Sequence, residues 1–83
     1  ELNKIQRYTI YPNPVTEDLI IHAATSFEEA DIRVFNMTGN LRIQQTSHQQ
    51  QESILKVSAL ATGIYLLVID ENGIRQRLTF VKN

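Results

Sequence analysis

Apolar residues recur at every second position through most of this 83-residue chain, in short runs separated by turn-forming residues. Period two is the spacing of a strand with one buried face, whereas an amphipathic helix needs apolar residues at intervals of three and four. Tyr8 and Ile10 alternate with Thr9 and Tyr11 in a first strand over Ile5–Tyr11, which stops at Pro12-Asn13-Pro14. Proline has no N–H for a ladder and biases the residue before it to extended geometry, so Tyr11–Pro14 reads as an edge or crossover segment. Leu19–His22 is a second strand, entered through Thr16-Glu17-Asp18. Ala23–Ala30 has room for one helical turn at Phe27–Ala30, but a stretch this short rarely sustains a helix and reads as a loop.

Asp31–Met37 is a third strand, with Ile32 and Val34 on one face and Arg33 and Phe35 on the other. Thr38-Gly39-Asn40 follows, and a central glycine supplies the positive φ of a tight hairpin, so Leu41–Gln45 pairs back antiparallel. The polar stretch Gln44–Glu52 is either the tail of that fourth strand or an exposed loop. Ile54–Leu60 is a fifth strand, with Leu55 and Val57 on one face and Leu60 at the corner before Ala61-Thr62-Gly63. The least polar run, Ile64–Ile69, reads as a strand covered on both faces or central in its sheet. Asn72-Gly73 is the strongest short hairpin signal, because both central residues of a type I′ turn need positive φ. Ile74–Val81 closes the chain as a seventh strand, with Leu78 and Phe80 inward and Arg75, Arg77 and Lys82 expected toward solvent.

Seven short strands at spacings of about 8 to 12 residues predict an all-β fold, a seven-stranded antiparallel immunoglobulin-like β-sandwich. The cysteine pair and core tryptophan of true immunoglobulin domains are absent, so the likeness is one of architecture. The length allows one domain and no second. Leu, Ile, Val and Phe supply 26 residues, enough to fold a chain with a formal net charge of only -1. That charge argues against nucleic acid or an anionic membrane as partner, since both are bound by clustered Lys and Arg. The longest apolar run is far shorter than the roughly 20 residues of a membrane-spanning helix. Without cysteine there is no disulfide framework and no thiolate site, and redox chemistry does not name a compartment. The chain starts at Glu1, not Met, with no signal peptide before it, and is expected to be a piece of a longer protein.

Little here suggests chemistry, and no enzyme activity, metal or cofactor is expected. His22 and His48 lie in different elements with no second ligand at metal-binding spacing. Ser47 and His48 could be joined to an acid on paper, but no nucleophile-elbow pattern surrounds any serine. The pairs Glu17-Asp18, Glu28-Glu29 and Asp70-Glu71 read as solvated strand ends, since neighbours on a strand point to opposite faces. Asp70–Gly73 lacks the later bidentate Glu of a calcium loop and reads as a hairpin. Asn36-Met37-Thr38 spells a glycosylation sequon, whose plain reading is a strand running into a turn. The last ten residues carry Arg75, Arg77 and Lys82 and no acid. Composition favours these as guards of an edge strand against edge-to-edge pairing, over a face that a partner recognises.

Four blocks occur in order: Tyr11-Pro12-Asn13-Pro14, Ile32–Gly39, Leu60–Val68 with its Gly63-Ile64-Tyr65, and a basic finish at Arg77 and Lys82. Together they resemble the C-terminal sorting domain of type IX secretion cargo in Bacteroidota, over nearly the whole chain. The resemblance implies an immunoglobulin-like sandwich with no catalysis of its own. It implies a cargo that crosses the periplasm, is recognised by the type IX outer-membrane translocon and its shuttle proteins, and is secreted or held at the cell surface, often after cleavage by a sortase-like peptidase. On this reading residues 1–6 end a linker from the upstream cargo and residues 7–83 form the sandwich. Pro12, Asn13, Pro14, Gly39, Gly63 and Tyr65 match the sorting motifs, and Arg75, Arg77 and Lys82 are the candidates for translocon recognition. Gly63 is expected to shape the turn before the core strand, and Tyr65 to bury its ring with its hydroxyl bonded. The sequence departs from the family in carrying Arg77 where lysine is frequent and in ending at Asn83. The exposed last strand also offers a site for weak homodimerisation. The alternative reading is an accessory sandwich that binds carbohydrate or a surface protein, although the chain has only six aromatic residues for a sugar platform.

Overall fold

Alternation becomes two antiparallel sheets in the computed structural model, which describes residues 7–24, 29–48 and 51–83. The strands are β1 (Tyr8–Tyr11), β2 (Asp18–Ala23), β3 (Glu29–Asn36), β4 (Leu41–His48), β5 (Glu52–Lys56), β6 (Gly63–Glu71) and β7 (Ile74–Lys82). One sheet has the order β1-β2-β5 and the other β4-β3-β6-β7, an arrangement consistent with an immunoglobulin-like sandwich. β6 lies between β3 and β7, so its apolar run is explained by a central position.

Between the sheets lie the inward residues of each strand. Leu19 and Ile21 of β2, Ile32 and Val34 of β3, Leu55 of β5, Leu67 and Ile69 of β6, and Phe80 of β7 are fully or almost fully buried. The rings of Tyr65 and Phe80 face each other across β6 and β7 with centroids 5.6 Å apart. Both hairpins take the form that their turn residues demand. Glu71 pairs with Ile74 around Asn72 and Gly73, at φ 53° and 77°, and Gly39 sits at φ 89° between β3 and β4.

Several strand boundaries differ from the sequence expectation. Ala23 ends β2 and Glu29-Ala30 begin β3, so the expected loop is shorter at both ends, with Ala23 and Ala30 both buried. β4 runs on to His48, because Ser47 turns inward and meets Ser53 of β5, hydroxyl to hydroxyl, at 3.0 Å. A polar pair facing inward carries no apolar signal, which is why alternation alone leaves this stretch open. β5 ends at Lys56, and the chain turns through a bond from the Leu60 amide to the Val57 carbonyl at 2.9 Å. The linker end at 1–6 and residues 25–28 and 49–50 lie outside the described residues.

Glu71 is also not a solvated strand end. It is 8% exposed and faces inward, where the Tyr8 hydroxyl donates to Oε1 and ties β1 to β6 across the sandwich. Burial and this carboxylate together raise the Tyr8 pKa above its ordinary value of 10.0. The unfolded chain therefore ionises Tyr8 first, and this contribution to stability is complete below pH 10 and lost as pH rises beyond it. Stability followed by circular dichroism is expected to fall above pH 10, with this one group contributing up to about 1.4 kcal/mol per pH unit. Tyr8→Phe is expected to cost about 1 to 3 kcal/mol at neutral pH and to flatten that alkaline slope.

Candidate functional site

β7 is an edge strand, and its two sides are set by alternation. Gln76, Leu78, Phe80 and Lys82 point toward the core layer, while Arg75, Arg77, Thr79 and Val81 point out from the four-stranded sheet. Lys82 thus corrects the expectation of a solvent-facing cation. It is 6% exposed, and its Nζ donates to the Asn83 carbonyl at 2.6 Å. The reason is parity, since Lys82 is two residues beyond Phe80 and shares its face.

The two outward arginines differ. Arg75 holds Asp70 through Nε to Oδ1 at 2.8 Å and a second bond to Oδ2 at 3.3 Å, across the β6–β7 pair. That guanidinium keeps the Asp70 carboxyl below its ordinary range. Arg77 is exposed, and among the described residues it forms no ion pair.

The Pro12-Asn13-Pro14 bend brings the chain from β1 to this same edge. Asn13 Oδ1 accepts from the Val81 amide at 2.8 Å, the Val15 amide donates to the Val81 carbonyl at 2.8 Å, and the Asn83 amide donates to the Val15 carbonyl at 2.9 Å. Val15 is fully buried and pairs with Lys82 as a parallel bridge, so the expected crossover segment is a clasp on the end of β7. In an antiparallel pair the backbone groups of alternate residues face alternate sides. Those of Arg75, Arg77 and Thr79 therefore face the same way as those of Val81, away from β6. Among the described residues nothing pairs with them, and the edge is closed at Val81–Asn83 and open at Arg75–Thr79.

The remaining motif residues build structure around this strand. Tyr65 is 6% exposed, and its hydroxyl donates to the Ala61 carbonyl at 2.7 Å, which secures the connection before β6. Gly63 is the first residue of β6 and lies opposite Lys82. Gly39 lies in a hairpin organised by Asn36, whose Oδ1 accepts from the Thr38 amide, the Thr38 hydroxyl and the Asn40 amide at 2.9 to 3.1 Å. The sequon asparagine thus serves the turn. Sequence reasoning did not single out Arg33, which lies on the outer face beside Val68; its signal was its alternation with Ile32 and Val34.

Ser47 and His48 do not converge, for one is buried and the other exposed on the opposite face of β4. His22 meets Glu52 at 3.3 Å on the surface. Among the described residues no three His, Asp or Glu side chains gather in a way that could hold a metal.

A family model described as a secretion system C-terminal sorting domain matches residues 9–83. No curated protein matches the chain. The match supports the sorting reading and gives no support to the accessory binding module. The chain belongs to the C-terminal sorting domain family of the type IX secretion system, and it is a sorting signal that engages that machinery for export across the outer membrane.

Proposed function

We propose that the outer-membrane translocon reads this domain through the open half of the β7 edge, Arg75–Thr79, with Arg75 and Arg77 setting specificity. An unpaired strand offers a row of backbone donors and acceptors to an incoming strand, and flanking side chains select the partner. The observation that carries this reading is the half-closed edge. The clasp from Asn13 and Val15 covers Val81–Asn83 and leaves Arg75–Thr79 open. Unprotected edges risk aggregation, so a partly capped edge whose open part carries two arginines suits controlled recognition. The chemistry of the signal is then backbone and charge, with no catalytic role for the domain.

The cargo fused before this domain crosses the periplasm, meets shuttle proteins and the translocon, and reaches the surface. There a sortase-like peptidase removes the domain. A weak homodimer through the same edge would compete with the translocon and keep the edge covered in transit.

Fused to the C-terminus of a periplasmic reporter in a type IX-secreting bacterium, the 83 residues are expected to carry it to the cell surface. Removal of Leu78–Asn83 is expected to stop this, and a reporter that stays periplasmic with the full domain refutes the reading. The double variant Arg75→Glu, Arg77→Glu is expected to abolish most export while the circular dichroism spectrum is unchanged. Asn13→Ala removes the acceptor of the Val81 amide, at a cost of about 1 kcal/mol. Amide hydrogen exchange at Val81 is expected to quicken about fivefold, and export to fall.

A further inference from the structure

The outer face of the four-stranded sheet carries a groove of about 450 Å³ that runs from the β3–β4 hairpin to β7, where Arg75, Arg77 and Thr79 line it. Its floor is apolar, formed by Phe35 of β3 with Leu66 and Val68 of β6. Cross-strand register places Arg33, Val68 and Arg77 in one row, so two guanidiniums flank a single valine from neighbouring strands about 5 Å away on each side. Val68 is only 6% exposed although it faces outward. The Asn36–Asn40 hairpin raises one end of the groove, where Met37 is 68% exposed and Gly39 lines the wall.

Charge on this face is unevenly satisfied. Asp70 is held by Arg75, and Asp31 is held by Arg33 Nη2 at 2.8 Å. Those contacts leave Arg77 without an ion pair among the described residues, and Arg33 Nε is buried without a hydrogen-bond partner. The Arg33 side chain as a whole is half-exposed, so an incoming carboxylate can meet the accessible part of its guanidinium together with Arg77. We infer that this groove is a second docking surface, offering side chains where the adjoining β7 edge offers backbone, for an extended protein segment in which Asp or Glu alternates with large apolar residues. The apolar side chains rest on Phe35 and Leu66, and a carboxylate reaches the row of Arg33 and Arg77. A second copy of this chain fits less well, because pairing two such faces would bring together two surfaces that each carry Arg33, Arg75 and Arg77. A basic segment meets the same repulsion.

The inference concerns a face and stands beside the sorting reading, with which it shares Arg75, Arg77 and Thr79. Its test is a titration of the ¹⁵N-labelled 83-residue chain with the blocked peptide Ser-Leu-Asp-Phe-Glu-Leu-Ser and with a counterpart carrying lysine at both acidic positions. Amide shifts are expected at Met37, Leu66 and Val68 with the acidic peptide alone. Arg77→Glu is expected to weaken binding about tenfold, and Met37→Glu, which changes the groove wall and leaves the β7 edge intact, to weaken it by a similar factor. Equal binding of both peptides, no binding, or shifts confined to Arg75–Thr79 would overturn the inference. Dilution-dependent shifts at Met37, Leu66 and Val68 without peptide, which mark a second copy on this face and not on the β7 edge, would also overturn it, as would shifts seen only with phosphatidylglycerol vesicles. If the reporter is exported while the peptide fails to bind, the groove reading falls and the sorting reading stands. Peptide binding without export has the reverse meaning.

Discussion

The clasp between Asn13–Val15 and the end of β7 is the interaction on which the arrangement of the two sheets depends. Among the described residues the sheets share no other backbone hydrogen bonds, since strand pairing stays within β1-β2-β5 and within β4-β3-β6-β7. Elsewhere they meet through side chains: the apolar core, Tyr8 on Glu71, Ser47 on Ser53, and Gln76 accepting from the Arg7 amide. Apolar packing is non-directional and tolerates sliding, whereas backbone bonds at Val81 and Val15 allow a single register. Val15, with no exposed surface, anchors the clasp in the core, so the motif around Pro12-Asn13-Pro14 orients the sheets and shapes the β7 edge together.

The same strand then presents two different surfaces. Its inward side is a core element, with Phe80 stacked on Tyr65 and Lys82 turned under the chain end. Its outward side carries Arg75 and Arg77, of which one neutralises Asp70 and the other is free to meet an anion. A domain with a net charge of -1 can thus hold a locally basic surface, because its acids lie elsewhere or already face a partner. The edge offers backbone and the groove side chains, and Arg75, Arg77 and Thr79 belong to both.

Much of this was legible in the residues. Asn72-Gly73 and Gly39 located both hairpins of the larger sheet, since their positive φ angles are chemical preferences of those residues. Leu19, Ile32, Val34, Leu55 and Phe80 stood at alternating positions and are buried. Polar residues that face inward were harder to read. Ser47 extends β4 through a hydroxyl pair, and Glu71 is buried beneath a tyrosine 63 residues away, so neither announces itself in a local window. Lys82 shows the converse, a charge whose type suggested solvent and whose position in the alternation put it inside.

What the sequence determined by itself was the set of strands, the two tight turns and the motif order that marks the sorting family, because each depends on neighbours within a few residues. Which strands share a sheet, which half of the β7 edge stays open, and which arginine keeps a free charge were decided only by the tertiary structure. Those features depend on contacts such as Asn13 to Val81 and Tyr8 to Glu71, between residues more than 60 positions apart. Alternation states which way a side chain points, but only the assembled sandwich supplies what it meets there.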